Sequence, residues 1–212
     1  MTLELNDVYK TYRVEGEPRT VLRGVHLRVE RGDTIGILGR NGAGKSTLVR
    51  ILAGVEKPSH GTVRRRMSVS WPLGFQSGFL LNSTGMENIR FVARLYDRKP
   101  QRVAEFVDDL AEIGRYMYMP MTTYSSGMRT KLALALSLAF DFDCYLVDEA
   151  LAVADQRFNA VIEQRLRHSA LVLITHAPTL VHRFCRRAAI LDAGILTVHD
   201  DLDEALATYN AL

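Results

Sequence analysis

Cysteine is scarce in this sequence: two residues in 212, Cys144 inside an apolar run and Cys185 in a segment read as helix. Neither has a partner at metal-ligand or disulfide spacing, so a zinc ribbon and a disulfide scaffold are excluded. Buried thiols in a reducing compartment, the cytoplasm, are what the pair implies. Long hydrophobic runs are missing too. The longest, Leu132 to Phe140 broken by Ser137, falls far short of the roughly 20 residues that a bilayer span needs, and no signal peptide opens the chain. If the protein works at a membrane, another chain does the crossing. Nor is there an excess of one charge, with 27 Lys and Arg against 24 Asp and Glu, a net +3. The basic clusters, Arg64 to Arg66 and Arg183 with Arg186 and Arg187, are not interleaved with aromatics. Both read as solvated faces, with contact to a partner or to anionic headgroups as the alternative, and nucleic acid is not indicated. Repeats and low-complexity segments are also absent. A chain of this length matches one large α/β domain with a core that needs no disulfides.

What is present begins with Gly39-Arg40-Asn41-Gly42-Ala43-Gly44-Lys45-Ser46-Thr47, which fits the phosphate-binding pattern G-x-x-x-x-G-K-[ST]. Its flanks are those the mechanism requires, a β-rich run from Thr34 to Leu38 and helically spaced apolar residues from Ser46 to Leu52. Glycines let the main chain approach a β-phosphate closely, and the amides of the turn and of the helix start point at it. Lys45 adds a charge between the β- and γ-phosphates, and the Ser46 hydroxyl can ligate Mg²⁺. The segment therefore predicts a nucleoside triphosphate site.

Around this motif the chain reads as α/β. Thr2 to Val8 and Val25 to Glu30 alternate as strands about a turn at Val14 to Pro18, and a short strand is predicted near Met67 to Trp71. Pro72 to Thr84 is irregular. Met86 to Tyr96 and Gln101 to Ile113, the second opened by Pro100, carry helical spacing, so a helical insertion is predicted over about 86–140. Cys144 to Val147 and Leu171 to Ile174 are all-apolar runs of the kind buried in parallel sheets, separated by a helix from about Gln156 to Arg167. A hairpin around Leu191 to Ile195 and a helix from Asp201 to Tyr209 follow.

Two further segments carry chemistry. The strand Cys144 to Val147 ends in Asp148 and Glu149: Asp148 suits a Mg²⁺ held through its water shell, and Glu149 suits a base for water attacking a γ-phosphorus, with a helix-capping acid as the bland alternative. Tyr124-Ser125-Ser126-Gly127-Met128-Arg129 opens an apolar helix, which makes it a second anion site if it meets a nucleotide held by another copy of the chain, or else only a Ser-capped helix.

Taken in order, the phosphate loop, the Tyr124 to Met128 segment, the Asp148-Glu149 pair and His176 after the strand Leu171 to Thr175 resemble an ATP-binding cassette ATPase over nearly the whole length. The resemblance implies a single domain, 1–212, with a RecA-like core, an N-terminal antiparallel β subdomain and a helical signature subdomain. It implies ATP and Mg²⁺, with Gly39, Asn41, Gly42, Ala43, Gly44, Lys45, Ser46 and Thr47 on the phosphates. Ser46, Asp148 and Gln76 would attend the metal, and Lys45, Glu149 and His176 would take catalytic roles. Ser125 and Gly127 would touch the opposite subunit's γ-phosphate, Asp155 would lie in the loop that communicates across the dimer, and Tyr12 would stack on adenine. Tyr9 competes with Tyr12, and an exposed loop glutamine competes with the reading of Gln76.

The Tyr-Ser-Ser-Gly-Met segment, the run Asp148 to Asp155 and Arg157-Phe158 resemble the polysaccharide-exporting branch. Ser70 to Gly74 with Thr84 to Asn88 looks most like the capsular polysaccharide export ATPases of Gram-negative bacteria, the KpsT-type subunits. The sequence leaves no room for the carbohydrate-binding domain that O-antigen subunits often carry. O-antigen or teichoic acid export is the alternative, and a soluble non-transport cassette lies further off. The implied assembly is a homodimer on two membrane permease subunits, which handle the polysaccharide, at the cytoplasmic face of the inner membrane with further capsule-export proteins of the envelope. Trp71 is read either as a contact to the permease or as a core residue.

Overall fold

The computed structural model describes residues 1–74, 76, 78–148 and 156–212, so Glu149 and Asp155 lie outside the described residues. The chain forms two compact units, one made of Met1–Pro72, Phe142–Glu149 and Leu166–Leu212, the other of Leu73–Asp141 with Ala150–Arg165.

In the first unit, β1 (Thr2–Val14) and β2 (Glu17–Glu30) form one long antiparallel hairpin rather than two short strands. Its turn, Glu15-Gly16, has positive φ at both residues, 53° and 90°, which a two-residue hairpin loop needs. After β3 (Thr34–Leu38) and α1 (Lys45–Leu52), β4 (His60–Arg65) adds to the other side of β1. No strand was expected there. Only Val63 of that arginine-rich run packs against the core, and its pairing opposite Leu5 supplies the order that the pattern lacks. Arg65 corrects the reading of a solvated basic cluster, because its guanidinium donates to the carbonyls of Ile51 and Leu52 and so caps the end of α1. Arg187 is also engaged, on the Arg28 carbonyl at 2.6 Å and the Asp33 carboxylate at 3.0 Å.

The second sheet of this unit contains β5 (Val69–Leu73), β6 (Cys144–Asp148), β7 (Ala170–Thr175), β3, β8 (Arg187–Asp192) and β9 (Ile195–His199), in that order across the sheet. From β6 to β8 neighbouring strands are parallel, and β9 returns antiparallel. All six residues of β7 are buried, as expected for a parallel strand covered on both faces. Register decides where the site falls. Leu38 pairs with Thr175, and Asp148 pairs with Ile174, so Gly39, Asp148 and His176 leave the same edge at the carboxyl ends of β3, β6 and β7. That edge is where open α/β sheets bind ligands. α6 (Pro178–Phe184) lies directly on β3: a Cβ at Gly36 would stand 2.4 Å from Val181 Cγ1. α7 (Leu202–Asn210) follows the hairpin of β8 and β9. Burial pushes the thiols of Cys144 and Cys185 up to about 12, so both are inert packing groups at neutral pH. Trp71 is half-buried, edge-on to Phe142 at 5.3 Å between ring centres, which favours its packing role.

The second unit is helical: α2 (Gly85–Leu95), α3 (Pro100–Ala111), α4 (Ser126–Leu138) and α5 (Gln156–Leu166). α2 starts in a capping box, with Thr84 and Glu87 each satisfying the other's backbone amide, and Pro100 opens α3 as expected. Buried Asn88 binds both the amide and the carbonyl of Leu80 and so pins the loop that precedes α2. Arg157 of α5 donates to Asp109 and Glu112 of α3 and its end.

Candidate nucleotide site

The loop Gly39 to Gly44 joins β3 to α1 and turns on glycines at positive φ, 86° at Gly42 and 109° at Gly44. Side chains rarely adopt such angles, and a Cβ on Gly44 would in addition come within 3.1 Å of the Val21 carbonyl. Gly44 caps α1 with no side chain over the helix end. The residues that carry the first amides, Lys45, Ser46 and Thr47, line a trough of about 390 Å³ with Asn41, Gly42, Gly44, Val21 and Asp148. A positive helix end, a lysine and open backbone amides make this an anion site. The Lys45 ammonium donates to the carbonyls of Gly39 at 2.7 Å and Arg40 at 3.1 Å, which hold it against the loop.

Ser46 and Asp148 bring two oxygen donors to the same trough. Among the described residues no three His, Cys, Asp or Glu side chains gather as a metal cage. Two protein oxygens beside a phosphate cradle fit a hard cation such as Mg²⁺, which keeps waters and shares phosphate oxygens. His176 is exposed just beyond β7, and its backbone carbonyl lies 3.5 Å from the Tyr209 hydroxyl.

Tyr12 is not among the trough-lining residues but is held beside Thr47, which is one of them. Its hydroxyl donates to Glu56 at 2.9 Å, lies 3.3 Å from the Thr47 hydroxyl and accepts from Arg50 at 3.2 Å, while the Lys10 ammonium lies 5.1 Å from the ring centre. Burial alone would raise the Glu56 carboxyl, but the donors Lys10, Tyr12 and Arg50 outweigh it and hold it down to about 2. The ring is thereby fixed relative to Thr47, which lines the trough. Val21, Glu56 and Arg40 were not singled out in the sequence. A valine on a strand looks like core, and Glu56 sits in a polar loop with no pattern around it.

The remaining residues belong to the helical unit. Ser125 caps α4, its hydroxyl accepting from the Met128 amide at 3.2 Å, and Ser126 and Gly127 are exposed beside it. A Cβ on Gly127 would meet nothing closer than 3.9 Å within the chain, so the chain itself does not require glycine there. Tyr124 is a structural peg: it is buried, and its hydroxyl donates to the Tyr116 carbonyl at 2.6 Å. Gln76 donates to the Thr130 hydroxyl at 2.8 Å.

This phosphate cradle on a parallel sheet defines a P-loop nucleotide-binding protein, and comparison with known proteins sharpens the class. Residues 22–152 match the family model of the ABC transporter. The chain is 44% identical to the ATP-binding protein BexA of Haemophilus influenzae, covering 98% of each chain. It is 42% identical to the capsule polysaccharide export ATP-binding protein CtrD of Neisseria meningitidis serogroup B, covering 99% of each. In fold it resembles the ATP-binding cassette MJ0796 in a dimeric post-hydrolysis state bound to ADP and Pi, with a TM-score of 0.79 at 23% identity over 93% of this chain and 97% of that one. The chain belongs to the ABC transporter family, as one of its ATP-binding, ATP-hydrolysing subunits.

Proposed function

We propose that this subunit powers export of capsular polysaccharide across the inner membrane, working at the cytoplasmic face as a homodimer bound to two permease subunits. The observation that carries the substrate is end-to-end identity of 42% with the capsule export protein CtrD. Polysaccharide is then handled mainly by the permease, and further envelope proteins carry it outward. An exposed apolar strip supports the docking role. Phe91 and Leu95, one turn apart on α2, are 55% and 69% exposed, and Leu80 and Leu81 of the preceding loop are exposed with them.

In this reading Lys45 and the amides at the start of α1 hold the β- and γ-phosphates of ATP, and Tyr12 meets the adenine. Ser46 and Asp148 are the residues of the trough that would hold Mg²⁺, which supplies charge neutralisation between the phosphates when bound. Glu149 takes a proton from the attacking water as its oxygen bonds to the γ-phosphorus. The bond from that phosphorus to the bridging oxygen breaks, leaving ADP and phosphate. His176 reaches the γ-phosphate from the same chain, and Ser125 and Gly127 from the second copy. ATP therefore acts as the adhesive between copies, and hydrolysis reopens them.

Replacing Lys45 by Ala in the source organism tests the assignment, with surface and intracellular polysaccharide compared by fractionation and sugar analysis. Polymer accumulating inside the cell is the expected outcome. Unchanged surface polysaccharide would sink the capsule reading and leave the ATPase standing.

A further inference from the structure

The helix α7 touches two loops that leave the sheet from different strands. At one point the Arg40 guanidinium, in the phosphate loop, donates to the Leu212 carbonyl just beyond the helix at 3.0 Å. At the other, the Tyr209 hydroxyl lies 3.5 Å from the His176 carbonyl. Arg40 is also one of the two residues whose carbonyls receive the Lys45 ammonium, at 3.1 Å. A chain of contacts thus runs from Lys45 through Arg40 to the end of α7, and from Tyr209 of the same helix to His176.

The helix is built to hold its place. Asp201 caps it by accepting from the Glu204 amide at 2.9 Å, Asp203 and Glu204 favour its positive end, and Ala205 is wholly buried on the side that meets β8. Thr208 ties back to the Glu204 carbonyl at 2.9 Å. A rigid rod that contacts both loops sets the spacing between them.

We propose that α7 is a strap that positions His176 against the phosphate loop, with Tyr209 and Arg40 as positioning residues for hydrolysis. This rests on the reading of His176 as the group that reaches the γ-phosphate. Tyr209 touches the main chain of His176, so it acts on where the imidazole stands and not on its chemistry. Displacing a reacting group by about 1 Å can cost up to about a hundredfold in rate, so loss of one hydroxyl contact at this point reads out in turnover.

The test is steady-state ATP hydrolysis by the purified full chain carrying Tyr209→Phe, Arg40→Ala or His176→Ala, with melting temperatures recorded alongside. For Tyr209→Phe the expected result is a kcat lower by about threefold to tenfold with an unchanged KM for ATP and an unchanged melting temperature. Arg40→Ala, acting on the loop that cradles the phosphates, raises KM instead. Normal kcat in Tyr209→Phe, with turnover lost in His176→Ala, overturns the strap alone. Turnover surviving in His176→Ala overturns both the strap and the reading on which it rests. A fall in kcat accompanied by a lower melting temperature assigns Tyr209 an ordinary structural part and also overturns the proposal.

Discussion

Glu56 carries no recognisable motif, yet it organises the residues behind the phosphate loop. It receives the Lys10 ammonium at 2.8 Å, the Tyr12 hydroxyl at 2.9 Å and the Arg50 guanidinium at 3.0 Å, linking β1 to the helix that carries Lys45. Its carboxyl is held at about 2, below the ordinary value of 4.5 that applies in the unfolded chain. A carboxyl depressed on folding stabilises the fold fully above the unfolded value, and the contribution is lost as pH falls through the window from 4.5 to about 2. Glu56→Gln should therefore lower stability at pH 7 by about 2 kcal/mol, the size of a hydrogen bond to a charged group. The same change should flatten the acid side of the stability curve. Urea unfolding at pH 7 and at pH 3 checks it, and an equal loss at both pH values would show that the charge on Glu56 is not what matters. Because Tyr12 would lose its anchor, ATP affinity should weaken in the same variant. The sequence pointed to Tyr12 only through the family resemblance. Nothing in the residues around Glu56 reveals the cluster, because Lys10, Tyr12 and Arg50 come to it from 46, 44 and 6 positions away.

Elements were legible where one periodicity had only one explanation. The apolar run before Gly39, the buried runs of β6 and β7 and the Pro100 start of α3 emerged where expected. The hairpin's turn also fell inside the expected Val14 to Pro18, but the strand stretches next to it, Tyr9 to Val14 and Glu17 to Gly24, and the whole of β4 did not emerge, since few of those residues are buried and their order comes from pairing across β1. Gly36 shows the same limit at a single position. In sequence it is a glycine inside an otherwise apolar strand, a mark of close approach without a partner's name. The structure supplies Val181 of α6, 2.4 Å from where a Cβ would stand. Gly36→Ala should then cost about 1 to 3 kcal/mol by overpacking. Val181→Ala alone should cost about 1 kcal/mol or more through the space it leaves. The double variant should be more stable than the sum of the two losses implies, because the new methyl fills that space. Chemical denaturation of all four proteins measures the coupling, and strict additivity would show that α6 can shift away from β3 at no cost.

At the scale of the whole molecule, the surfaces divide the work. The first unit contains the trough, with its lysine, its helix end and its oxygen donors, while the second carries exposed apolar side chains that a lone soluble helix bundle has no use for. Phe91 and Leu95 are on one face of α2, whose buried residues Ile89 and Ala93 lie elsewhere around the helix. The exposed pair therefore contributes little to the stability of the unit itself, and substitution by Ser at both positions should leave the melting temperature unchanged, as for most surface replacements. If this strip docks the permease, the Phe91→Ser/Leu95→Ser variant should be found less in the membrane fraction, and polysaccharide should be retained inside the cell as in Lys45→Ala. The two variants differ in cause: Lys45→Ala should still reach the membrane, and the α2 variant should not. Normal membrane recovery and normal export by the α2 variant would remove this face from the coupling path. The permease contact would then have to lie on another surface of the subunit.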